Sequence, residues 1–145
     1  MVRTPRFWRL IADQSVPVIF YEGTVPAGFP SPADDYIELP LDLRDYLVRN
    51  PTATFVMRAK GDSMREVGIL DGDLLVVDRS VKPSNGSIVV AALNGEFTVK
   101  TLRRVAGCLQ LEAANPIYEA LPVNGEAELH IFGVVLHAIR SFRSV

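Results

Sequence analysis

From Thr54 onward the chain alternates short apolar runs with polar, glycine-bearing turns. Phe55–Ala59 reads as one strand, Leu74–Val77 as a second and Ser87–Leu93 as a third, nearly continuously apolar one. Such runs, bounded by turn residues on both sides, suit buried strands. Ile69-Leu70-Asp71-Gly72-Asp73 and Val81-Lys82-Pro83-Ser84-Asn85-Gly86 are the turns between them. Asn94-Gly95 is the strongest hairpin signal: both residues tolerate the positive φ of a type I′ turn, which joins the third run to Glu96–Leu102. Cys108–Ala113 and Leu129–Ile139 add further strands. The pattern predicts a mainly β domain, an antiparallel sheet or partial barrel.

Ahead of Thr54 the pattern is broken. Pro5, Pro17 and Pro26 interrupt any long element in residues 1–27, an N-terminal arm. Within it Phe7, Trp8, Leu10 and Ile11 predict a short helical turn, and Val16–Tyr21 a short extended strand. Phe7, Trp8, Phe20 and Tyr21 together are too apolar for a free tail and predict docking. Residues 23–40 are rich in Gly, Pro, Ser and Asp and read as an accessible linker. Leu39–Leu47 predicts a short helix with Asp42 as N-cap, its apolar residues toward the core and Pro51 at its end. The expected division is an arm at 1–27, a linker and helix at 28–50, and a β-rich domain at 51–145.

Composition narrows the function classes. A chain of 145 residues with 48% hydrophobic content supports one domain with its own core. The net charge of −2 gives no general attraction to nucleic acid, so sequence-specific DNA binding is not expected. The one cysteine, Cys108, has no intramolecular disulfide partner, and with only His130 and His137 beside it no zinc spacing exists. Asp71, Asp73 and Asp78 lie around a glycine turn without the EF-hand pattern, and no phosphate-cradling glycine loop is present. No metal or cofactor is expected. No apolar run approaches the roughly 18 residues that span a bilayer. Asp13, Gln14 and Pro17 interrupt any signal-peptide core after Arg3, Arg6 and Arg9. The expectation is a soluble cytoplasmic protein.

The candidate chemistry sits at Gly61-Asp62-Ser63-Met64, a polar turn that presents one serine between two apolar runs. Lys100 closes Glu96-Phe97-Thr98-Val99-Lys100, where period-two alternation puts Thr98, Lys100 and Leu102 on one face. Two readings of Lys100 stand open at this point: a solvated lysine opposite the core, or a lysine buried beside Ser63. In the second, desolvation lowers its pKa and the neutral amine takes the serine proton. A Ser-His-Asp triad needs His130 or His137, which lie seven apart in a strand-like run and so point to opposite faces.

Three blocks in order then carry a resemblance: Gly61-Asp62-Ser63-Met64; Gly68 through Asp78 (Gly-Ile-Leu-Asp-Gly-Asp-Leu-Leu-Val-Val-Asp); and Gly95-Glu96-Phe97-Thr98-Val99-Lys100. Over about Ala27 to Arg140 the chain resembles the self-cleaving serine-lysine peptidases, which include the LexA repressor and the UmuD mutagenesis proteins. The likeness is greatest to UmuD and its plasmid-borne relatives. It implies a β-rich catalytic domain related to signal peptidases, with Ser63 as nucleophile, Lys100 as general base and the backbone around Asp62 and Ser63 as oxyanion donors. It implies a scissile bond at Ala27-Gly28, with Val25 and Ala27 as the small groups at the third and first positions before the cut. Many UmuD proteins have cysteine before that glycine; Ala-Gly is closer to the LexA site. Only 27 residues precede the cut, too few for a winged DNA-binding domain. The resemblance also implies a homodimer, a RecA–single-stranded DNA filament as activator, and a UmuC-type Y-family polymerase as partner in translesion synthesis after DNA damage. The competing classes are a non-cleaving regulatory or polymerase-binding module and a peptidase acting on other chains.

Overall fold

The computed structural model describes residues 7–9, 17–22, 25, 27–29, 37–123 and 129–143. Its body is an eight-stranded sheet in which every pair is antiparallel. In spatial order the strands are β1 (Phe7–Arg9), β4 (Thr54–Arg58), β5 (Leu74–Asp78), β10 (Leu129–Ile139), β6 (Ile88–Leu93), β7 (Glu96–Val105), β8 (Cys108–Glu112) and β9 (Leu121–Pro122). A separate two-stranded sheet pairs β2 (Pro17–Glu22) with β3 (Ile37–Asp42). One short helix, α1, covers Leu43–Leu47.

The apolar runs are explained by burial on two faces. Leu75, Val77 and Val90 join Met57, Met64 and Ile69 in one core cluster, while Val89 and Ala91 join Leu102, Leu111 and Val134 in another. Adjacent residues of β6 therefore serve different clusters, which removes the polar alternation of a half-solvated strand. The Asn94-Gly95 turn forms as expected: both residues have positive φ (51° and 82°), and Leu93 pairs with Glu96. Ala106 and Gly107 make a second two-residue turn of the same sign (51° and 78°), between Val105 and Cys108.

The region before Thr54 departs from the sequence reading in four ways. Phe7 and Trp8 are not in a helical turn: Phe7–Arg9 is a strand on the edge of β4, with Trp8 opposite Val56. Leu10, Ile11 and Val16 lie outside the described residues, as does most of the predicted linker. The expected helix from Leu39 is a strand through Asp42, and helix only from Leu43. Pro40 explains this, since it disfavours helical backbone at Leu39, and β2 offers a complete ladder partner. Asp42 does cap the helix, accepting from Arg44 N–H at 3.0 Å. That helix buries none of its residues, however, and Pro51 opens a 3-10 turn rather than ending the helix.

β10 holds the sheet together, hydrogen-bonding β5 on one side and β6 on the other. Its register shifts between Ile131 and Gly133 and again between Val135 and His137. At Gly133 the backbone passes so close to β5 that a Cβ would lie 2.7 Å from Val77 Cγ1 and 3.0 Å from Asp78 O. Val77 is fully buried and cannot retreat. We expect Gly133→Ala to cost about 1–3 kcal/mol of unfolding free energy, the overpacking range, as a lowered urea midpoint at constant slope.

Candidate active site

Ser63 stands on an excursion between β4 and β5 that is tied at both ends and in the middle. At its base, Ala59 N–H donates to Asp73 O (2.7 Å) and Gly72 N–H to Ala59 O (2.9 Å). Gly61, at φ +90°, donates its N–H to Asp71 Oδ1 at 2.7 Å. Met64 and Ile69 sink into the first core cluster at 3% and 5% exposure, so the residue after the serine anchors the turn from below. Arg140, just past β10, grips Asp73 through Nε (2.7 Å) and Nη2 (2.6 Å) and donates to Gly68 O (2.8 Å). That guanidinium holds the buried Asp73 carboxyl below the ordinary carboxylate range, so it stays ionised and keeps its bond from Leu70 N–H.

The segment after β8 supports the turn from the other side. Glu66 N–H donates to Ala114 O (2.9 Å), and Tyr118 hydroxyl donates to Asp62 Oδ1 (2.7 Å). Asn115, 2% exposed, donates Nδ2–H to the Asp62 carbonyl at 3.0 Å. Arg65 N–H reaches the same carbonyl at 3.3 Å. The Asp62 C=O and the Ser63 N–H belong to one planar peptide and point in opposite directions. Fixing the carbonyl with Asn115 and Arg65 therefore fixes the direction of the Ser63 N–H.

Lys100, in the middle of β7 and paired with Val89, brings its amine to this turn. Nζ lies 3.1 Å from Ser63 Oγ, 2.8 Å from Thr98 Oγ1 and 3.1 Å from Val99 O. An ammonium has three N–H donors, and three acceptors meet it here. All three are neutral, so no opposite charge offsets the desolvation of this half-buried side chain, and burial lowers its pKa below the ordinary lysine value. The neutral amine has two donors and a lone pair. It keeps Thr98 and Val99 as acceptors and receives a hydrogen bond from the Ser63 hydroxyl.

Ser63 and Lys100 thus meet, although 37 residues separate them. Ala27 and Gly28 lie exposed between β2 and β3; Val25 and Phe29 beside them are 94% and 95% exposed. His137 instead stacks against Tyr46, with ring centroids 5.5 Å apart. Asp71, Asp73 and Asp78 all accept local hydrogen bonds, Asp78 from Asn50 and Ser80. Asn115, Tyr118 and Arg140 were not singled out by the sequence; only the Asn115-Pro116 turn signal marks the first of them.

The Peptidase S24-like family model matches residues 17–136. Protein SamA of Salmonella typhimurium is 50% identical over 140 residues, covering 93% of this chain and 96% of SamA. Protein MucA of Escherichia coli is 48% identical over 122 residues, 83% of this chain and 82% of MucA. The LexA repressor of an Azoarcus species is 37% identical over 134 residues, 92% of this chain but 64% of the repressor.

A desolvated lysine titrates early. Competitive acetylation of the folded chain across a neutral-to-alkaline pH series, read by peptide mass spectrometry, is expected to place the Lys100 midpoint below 10.5. A midpoint at or above that value shows that the three acceptors favour the ammonium by more than burial disfavours it.

Proposed function

Because the chain belongs to the Peptidase S24-like family, we propose that it is a serine peptidase acting on itself, cutting Ala27-Gly28 through Ser63 and Lys100. The observation that carries this reading is the 3.1 Å contact between a half-buried, pKa-lowered lysine and a serine on a rigidly held turn. Neutral Lys100 takes the Ser63 hydroxyl proton as Oγ attacks the Ala27 carbonyl carbon. The resulting oxyanion accepts from backbone N–H groups around Asp62 and Ser63, a contribution of about 3–4 kcal/mol where such donors are removed singly. The intermediate collapses by breaking the C–N bond, and the Lys100 ammonium protonates the departing Gly28 amine. Water, deprotonated by the same lysine, then hydrolyses the Ala27 ester and restores Ser63.

Tethering makes the local substrate concentration high, so latency is conformational. The near-complete exposure of Val25 and Phe29 supports a resting state with the scissile segment away from Ser63. In this reading a RecA–single-stranded DNA filament selects the docked state after DNA damage. The trimmed homodimer, residues 28–145, then serves a UmuC-type Y-family polymerase in error-prone translesion synthesis in the cytoplasm.

Intact mass after incubation with an activated RecA filament tests the chemistry. Wild-type chain is expected to yield fragments 1–27 and 28–145, while Ser63→Ala and Lys100→Ala stay whole. Without RecA, the rate is expected to climb with pH about tenfold per unit as neutral lysine accumulates, then level at the lowered pKa of Lys100. A wild-type chain that stays whole under both conditions sinks self-cleavage and leaves a non-cleaving polymerase-binding or regulatory module.

A further inference from the structure

The bond at Ala27-Gly28 lies in the connection between two paired strands, and a second strand of the same arm lies on the main sheet. β2 pairs with β3 over six positions, from Pro17↔Asp42 to Glu22↔Ile37. β1 pairs with β4 over three, Phe7↔Met57, Trp8↔Val56 and Arg9↔Phe55. Both β1 and β2 precede the bond, and both of their partners follow it. Breaking that bond removes no hydrogen bond from either ladder. We propose that residues 1–27 remain bound to residues 28–145 after the cut, with the edges of β3 and β4 as their docking surface, so that cutting and release are separate steps.

The register of β2 and β3 favours this. Pro17 has no N–H, so Pro17↔Asp42 is a pair without mutual hydrogen bonds, and Ile19↔Pro40, two positions on, is of the same kind. Alternation then assigns the hydrogen-bonded pairs to 18↔41, 20↔39 and 22↔37, where no proline stands. Both prolines are placed where they cost the ladder nothing. A two-stranded pairing alone is marginal in water. Here residues 10–16 tie it to the β1–β4 pairing, so each anchor raises the effective concentration of the other. The exposed edge left by departure is a further reason to stay. Phe55, Val56 and Met57 are all buried in the whole chain, carry no charge, and become an open apolar edge once β1 leaves. The freed edge is then available only after a second event, when a partner or a processing factor removes the arm.

The inference rests on the proposed cleavage site, and its test does not use that chemistry. In a full-length Ser63→Ala chain, a recognition sequence for an exogenous protease is inserted after Gly28, next to the exposed Phe29, and cut to completion. Native mass spectrometry is expected to show one species of the uncut mass plus one water, and denaturing conditions to separate it into two. Trp8, the single tryptophan, reports on β1. Its fluorescence anisotropy is expected to keep the uncut value at micromolar concentration and to fall only on denaturation. A Val18→Pro chain, which loses a ladder hydrogen bond at a side chain already 38% exposed, is expected to release the arm about tenfold faster after the same cut. A free 1–27 fragment under native conditions overturns the proposal. So does a Val18→Pro release rate equal to that of the parent chain. Failure of wild-type self-cleavage leaves the retention result intact.

Discussion

Placing a lysine amine half out of water between strands is unfavourable for its charged form, and the surroundings of Lys100 preserve that penalty. Among the described residues Lys100 has no carboxylate partner; Ser63, Thr98 and Val99 offer it only neutral oxygens. A carboxylate here would pull the pKa back up and lock the amine as an ammonium. Three carboxylates of the serine excursion are committed elsewhere: Asp62 to Tyr118, Asp71 to Gly61, and Asp73 to Arg140. The charge pattern around the turn thus stabilises the backbone without neutralising the lysine's desolvation.

The serine is held by a different logic. Its turn is short and rich in glycine, which alone would leave it mobile. Rigidity comes from the turn's own Met64 and Ile69, sunk into the core, and from distant parts of the chain: Asn115 and Tyr118 from the segment after β8, and Arg140 from beyond β10. The peptide between Asp62 and Ser63 is oriented through its carbonyl side, which sets the direction of its N–H.

The β elements after Thr54 were legible because turn chemistry and burial agree there: Asn94-Gly95 demands positive φ, and the runs on either side suit two buried faces. Ala106-Gly107 makes an equivalent turn that alanine does not advertise, since positive φ is strained for it. The helix was placed too early because leucines at 39, 41, 43 and 47 fit both periods, and the decision lay with β2, a strand remote in sequence. For the site, alternation grouped Thr98 with Lys100 but left Lys100 divided between solvent and serine. Spacing alone cannot say that a turn before β5 meets the middle of β7. Asn115 and Arg140 were invisible for the same reason: each acts 53 or more residues away from the group it holds.

That geometry has a consequence for synthesis on the ribosome. β10 is made after both of its neighbours, yet it sits between β5, which follows the serine turn, and β6, which pairs with the lysine strand. Until it is inserted, the two halves of the sheet share no ladder, and Arg140 has not reached Asp73. From residue 100 until β10 is complete, a nascent chain therefore carries Ser63, Lys100 and the Ala27-Gly28 bond without the framework that unites them. The topology is a built-in delay: the half-sheets that carry Ser63 and Lys100 share no ladder until β10 has emerged.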